Sequence, residues 1–131
     1  MSLKDSLRVM VVDDMSTSRG IITQSLDEIG IKNYMVENSG EGAYKKLVQT
    51  PVHLVLSDYN MPGMDGLGLL QGLRGHQVTQ RVGFILVTGK PTPEMIQVGK
   101  QLGLNNIVRK PFTVATMKQA IEQVVGRLLI W

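Results

Sequence analysis

Leu54-Val55-Leu56-Ser57-Asp58-Tyr59-Asn60-Met61-Pro62-Gly63-Met64-Asp65-Gly66 holds a strand, a turn and the start of a helix in one run. Leu54, Val55 and Leu56 are uninterruptedly apolar, the pattern of a strand buried on both faces of a sheet, and Asp58 arrives where that run stops. Pro62 fixes its own φ and Gly63 admits conformations other residues avoid, which forces a turn. Asp65-Gly66 can then open a helix. A carboxylate is thus delivered to the end of a strand. In an open α/β sheet the carboxyl ends of the strands are where ligands and chemistry gather, so Asp58 is the first candidate functional residue.

The same pattern repeats on both sides of this stretch. Leu7 to Val12 reads as a strand ending at Asp13-Asp14, followed by a helix whose Ile22, Leu26 and Ile29 recur until Gly30 stops them. Tyr34-Met35-Val36 is a second strand. Ser39 can cap a helix with Ala43/Leu47 and Tyr44/Val48 as i,i+4 pairs, ending before Pro51. The helix after Asp65 carries Leu67, Leu70 and Leu73 but also Gly68 and Gly72, each costing about 1 kcal/mol relative to alanine, which makes it the least self-sufficient helix. Val82 to Val87 is a fourth strand ending at Thr88-Gly89, after which Thr92 caps, and Pro93 begins, a helix through Leu102. Asn106-Ile107-Val108 is the fifth strand, ending at Arg109-Lys110-Pro111. Thr113 caps a last helix whose Met117, Ala120, Ile121, Val124 and Leu128 line one face. Five strands alternating with five helices predict an α/β fold, a parallel sheet covered on both faces through right-handed crossovers. The alternation leaves strand order open; a flavodoxin-like order 2-1-3-4-5 would put the switch point between the first and third strands. Asp13, Asp14, Asp58, Thr88 and Lys110 would then share one edge of the sheet.

With 131 residues, 43% of them hydrophobic, the chain is expected to form a single domain over 1–131. No apolar run approaches the ~20 residues that span a bilayer, and Met1 to Ser6 lacks the plan of a signal peptide, so a cytoplasmic protein without membrane insertion is expected. The absence of cysteine excludes disulfides, thiolate metal sites and thiol nucleophiles. Net charge is +3, but the fourteen lysines and arginines are scattered rather than gathered into a patch, which argues against nucleic-acid binding.

Three carboxylates converging on one crevice repel each other, and a hard divalent cation is the natural remedy. Magnesium favours one or two carboxylates, a carbonyl oxygen and waters, which Asp14, Asp58 and the backbone carbonyl near Asn60 would supply. Lys110 adds a fixed positive charge and Thr88 a hydroxyl donor. Together these are the parts needed to stabilise a phosphoryl group in transfer to a carboxylate nucleophile. Taken singly, each has a plainer reading: Asp13-Asp14 as turn and cap, Asp58 as a turn residue, Thr88-Gly89 as a strand exit, Lys110-Pro111 as a helix boundary. Their shared position at the ends of successive strands favours function. His53 and His76 lack a carboxylate or second histidine at ligand spacing and read as structural or solvated. Met61 and Met64 read as gap-fillers beside the site. The apolar ending Leu128 to Trp131 either packs on the body or meets a partner.

In Val12-Asp13-Asp14, Ser57 to Gly66, Val87-Thr88-Gly89 and Lys110-Pro111-Phe112-Thr113, the chain resembles the receiver domains of two-component signalling. Most of all it resembles the single-domain chemotaxis response regulators, the CheY-like proteins, over nearly its whole length. The resemblance implies that Asp58 accepts a phosphoryl group from a histidine kinase, with Asp14 and Asp58 binding magnesium directly and Asp13 through water. It further implies that Lys110 and Thr88 contact the phosphoryl oxygens and that the Lys110-Pro111 peptide is cis. The implied protein is a monomeric switch that promotes only its own phosphorylation and dephosphorylation and passes its state to a downstream protein, a motor switch or another effector. Chemotaxis receivers commonly carry an aromatic residue in the middle of strand five, where this chain has Ile107, so a smaller rearrangement is expected there. Lys90 stands where an acidic residue is common, and Tyr59 where tryptophan is. Lys90, Lys100 and Arg109 favour an acidic output partner. Two rivals share the fold. A magnesium-dependent aspartyl-phosphate phosphatase needs a second acid where Asn60 stands, and a flavin-binding electron carrier needs a phosphate loop where Asp13-Asp14 would repel the phosphate.

Overall fold

Side chains alternating between two buried faces organise the computed structural model, which describes residues 3–128. The strands are β1 (Val9–Val12), β2 (Tyr34–Glu37), β3 (Leu54–Asp58), β4 (Gly83–Thr88) and β5 (Asn106–Arg109). All pair in parallel in the order β2-β1-β3-β4-β5, as the flavodoxin-like expectation requires. Val9 and Val11 pack with Leu54, Leu56, Ile85 and Val87 on one face; Met10, Val12, Val55, Phe84 and Leu86 belong to the other. Helices α2 (Ser16–Ile29) and α6 (Val114–Val125) cover the first face through Ile22, Leu26, Met117 and Ile121. The second is covered by α3 (Gly40–Gln49), α4 (Gly66–Arg74) and α5 (Pro93–Gln101), through Ala43, Leu47, Leu70, Leu73 and Met95. Each leucine, isoleucine or phenylalanine fully withdrawn from water here contributes roughly 1.5–3 kcal/mol before the entropy of ordering is subtracted.

Four of the expected caps form. Ser39 Oγ accepts from Gly42 N at 3.0 Å, Asp65 Oδ1 from Gly68 N at 2.8 Å, Thr92 Oγ1 from Met95 N at 3.1 Å and Thr113 Oγ1 from Thr116 N at 3.0 Å. Each contributes about 1 kcal/mol to its helix. The α2 helix has no side-chain cap, and Met15 N donates instead to Asp13 Oδ1 at 3.0 Å, tying the helix start to the end of β1.

Two expectations need correction. A sixth helix precedes the five expected among the described residues, α1 (Leu3–Ser6). It is a single turn, too short to leave a periodic pattern, and is held by Leu7 N donating to Leu3 O at 2.9 Å. Leu128 is not on the last helix, because Gly126, at φ 95, ends α6 at Val125. It is nevertheless 1% exposed, since the chain turns back. Leu128 N donates to Glu122 Oε2 at 3.1 Å, and its carbonyl accepts from Lys4 N at 3.2 Å. Leu128 thus packs on the body, while Leu129, Ile130 and Trp131 lie outside the described residues.

The register carries all of this to one edge. Val12 pairs with Ser57, Asp58 with Val87 and Thr88 with Arg109, so Asp13, just past β1, comes level with Asp58, and Lys110, just past β5, lies one step beyond Thr88.

Candidate functional site

Asp13, Asp14 and Asp58 each offer a carboxylate oxygen within 4.8 Å of the others. Asp13 is fully buried, Asp58 is 8% exposed and Asp14 faces solvent. A cleft of about 860 Å³ opens over Asp14 and Asp58, lined among others by Asn60, Met61, Thr88 and Lys90. Asp58 Oδ1 accepts from Tyr59 N at 2.8 Å, which fixes the carboxylate against the backbone. The β3–α4 turn presses against this point: a Cβ on Gly66 would lie 2.5 Å from the Asp58 carbonyl oxygen, so only glycine fits there.

Lys110 reaches in from the end of β5, its backbone N–H donating to Thr88 O at 2.9 Å. Its ammonium stands 3.4 Å from Asp58 Oδ1, 3.5 Å from Asp13 Oδ2 and 2.8 Å from Ser18 Oγ. The Lys110-Pro111 peptide that follows is cis, as the resemblance implied. Burial pushes the Asp58 carboxyl above its ordinary value. Lys110 opposes that shift, Asp13 adds to it, and the Tyr59 N–H opposes it weakly. The Lys110 ammonium therefore does not offset the burial of Asp58 and the negative charge of Asp13 beside it. The donor set, all oxygen and rich in negative charge, suits a hard divalent cation.

Thr88 is buried at the end of β4, its hydroxyl accepting a long 3.4 Å bond from Lys90 N. Lys90 is exposed on the rim of the cleft. Ile107 is not brought to the cleft. It packs, half-buried, against the cluster holding Leu86 and Met95, beside a cavity of about 240 Å³ shared with Ile96, Lys100 and Leu104. The two histidines are structural. His53 Nδ1 accepts from Arg8 N at 2.9 Å, and His76 accepts from Val78 N at 3.1 Å with its ring edge-on to Tyr44. Met61 and Met64 fill core space beside the site.

Ser18 and Arg19 are absent from the sequence reading. Arg19 Nη1 donates to Asp13 O at 2.8 Å. Both lie in the first turns of a helix beginning two residues after Asp14, and that short connection is the signal that could have found them.

Comparison with known proteins gives this arrangement a context. The family model described as response regulator receiver domain matches residues 9–122. A probable chemotaxis protein CheY of Rhizobium etli is 41% identical over 128 residues, covering 98% of this chain and 99% of the relative. Chemotaxis protein CheY-3 of Vibrio cholerae is 32% identical over 126 residues, covering 96% and 97%. The solved structure of V. cholerae chemotaxis protein CheY4 superposes with a TM-score of 0.84 at 25% identity, covering 90% of this chain and 98% of that one.

Proposed function

The chain belongs to the response regulator receiver family, whose members are phosphorylated by histidine kinases, and from that premise we propose that Asp58 is its phosphoacceptor and residues 1–131 its receiver domain. One observation carries this: a buried carboxylate at the end of β3, its pKa raised, facing a lysine ammonium at 3.4 Å and two further carboxylates within 4.8 Å. An Asp58 oxygen attacks the phosphorus of a phosphohistidine. The new P–O bond forms as the P–N bond breaks, and the electron pair leaves with the imidazole. Lys110 neutralises charge on the incoming phosphoryl oxygens, and the Thr88 hydroxyl donates to one of them.

Asp13, Asp14 and Asp58, with the Asn60 backbone carbonyl, would hold magnesium, which would supply the remaining charge neutralisation for phosphoryl transfer. The protein promotes its own phosphorylation and the later loss of the group, and acts on no other substrate. Its output is the binding of a downstream protein by one state in preference to the other.

Incubation with acetyl phosphate and magnesium should add the mass of one phosphoryl group. Asp58→Asn, which keeps the shape and removes the nucleophile, should abolish the gain, as should chelation of the metal. Labelling that survives either change assigns the chemistry elsewhere.

A further inference from the structure

The shortest polar contact of the Lys110 ammonium is to neither carboxylate. It is to Ser18 Oγ at 2.8 Å, while Asp58 and Asp13 stand at 3.4 and 3.5 Å. Charge-assisted N–H···O bonds between an ammonium and a carboxylate ordinarily close to about 2.7–2.9 Å. The ammonium is therefore held back from both acids, at a distance where attraction persists but the carboxylate lone pairs are not fully engaged. Nothing intrinsic to lysine prevents closer approach, since its stem has four rotatable bonds and its side chain is 26% exposed. The restraint comes from α2: Ser18 sits in the first turn of a helix whose start is fixed by Met15 N to Asp13 Oδ1 and by Arg19 to Asp13 O.

We infer that Ser18 is a positioning residue that holds the Lys110 ammonium off Asp13 and Asp58 in the resting protein, leaving those carboxylates open to a divalent cation. The inference rests on the reading of Asp58 as phosphoacceptor beside a magnesium site. A lysine fully paired with Asp58 would compete with the cation for the same oxygens. A lysine anchored on a neutral hydroxyl keeps its charge close without occupying them, and it stays within reach of a phosphoryl oxygen on Asp58.

Calorimetric titration with magnesium chloride tests this on the whole chain. Ser18→Ala is benign for the helix, alanine being the best helix former. Without the hydroxyl the ammonium should close on the carboxylates, and magnesium affinity should fall by about three- to tenfold, the range of one hydrogen bond. Ser18→Thr, which retains the hydroxyl, should recover most of the loss. In a Lys110→Ala background, Ser18→Ala should change nothing, because there is no ammonium to hold back.

Wild-type affinity in Ser18→Ala would overturn the inference. So would an equal fall with and without Lys110, which would mean that Ser18 merely shapes the helix. If the wild-type protein binds no magnesium, the magnesium site and this inference fall together; if it binds and Ser18→Ala binds equally, only the inference falls.

Discussion

At the scale of single residues, the site leaves a charge imperfectly compensated. Burial raises the pKa of Asp58 more than Lys110 lowers it, so the folded state holds that proton more tightly than the unfolded chain does. The sign follows: this contribution to stability is fully present below the ordinary carboxylate pKa and is lost as pH rises through the raised value. At neutral pH the ionised Asp58 therefore costs stability. Asp58→Asn should be more stable than wild type there by on the order of 1 kcal/mol, the scale of relieving one poorly paired buried charge. Thermal unfolding of both proteins from neutral to acid pH checks it, with the gap expected to close as the wild-type carboxyl protonates. A gap unchanged with pH would attribute the gain to shape rather than charge.

At the scale of elements, glycines divide sharply by what surrounds them. Gly20 lies in the interior of α2 with nothing within 4 Å of an added Cβ, so Gly20→Ala should stabilise the protein by about 1 kcal/mol through helix propensity alone. Gly66 begins α4 under the Asp58 carbonyl and against Leu86, and Gly66→Ala must displace the end of β3. It should cost about 2 kcal/mol or more and impair phosphoryl uptake as well. Chemical denaturation of the two variants separates these outcomes. The α4 helix itself, weak in its sequence, is fastened at its far end by Arg74. That side chain donates to Gln80 O, Val82 O, Gly103 O and Asn105 Oδ1, joining the loops before β4 and β5.

At the scale of the whole molecule, the question is how a change at Asp58 leaves the site. Thr88 is buried beside it, and Ile107 lies on the neighbouring strand against the cluster that holds Leu86 and Met95, next to a cavity of about 240 Å³. Drawing the Thr88 hydroxyl toward new oxygens would be relayed by repacking of β-branched Ile107, stiff at χ1, and no large aromatic rotation is available. The partner surface would be the face of α5, β5 and α6, with Lys90, Lys100 and Arg109 exposed for an acidic partner. Amide spectra with and without beryllofluoride should show shifts extending through residues 94–109. Changes confined to the cleft loops would place the output on another face. Across the described residues no helix is long and apolar enough to cross a membrane.

Much of this was determined by the sequence alone. Apolar runs, caps and glycine or proline punctuation are local signals, because burial on both faces of a sheet and the satisfaction of helix ends are demands each segment meets for itself. They located five strands, four of the caps and the carboxylates, threonine and lysine at the strand ends. What they did not carry was anything whose cause lies in another segment. Leu128 is buried because the chain folds back onto α1, not because of helical spacing. Ile107 stands apart from the cleft because it pairs with Leu86, two residues short of the strand end that carries Thr88. Ser18 meets Lys110 only because the packing of α2 and α6 on one face brings together residues 92 positions apart. A hydrogen bond of 2.8 Å between such distant residues has no periodicity to betray it, so only the tertiary structure decided where the lysine's charge would sit.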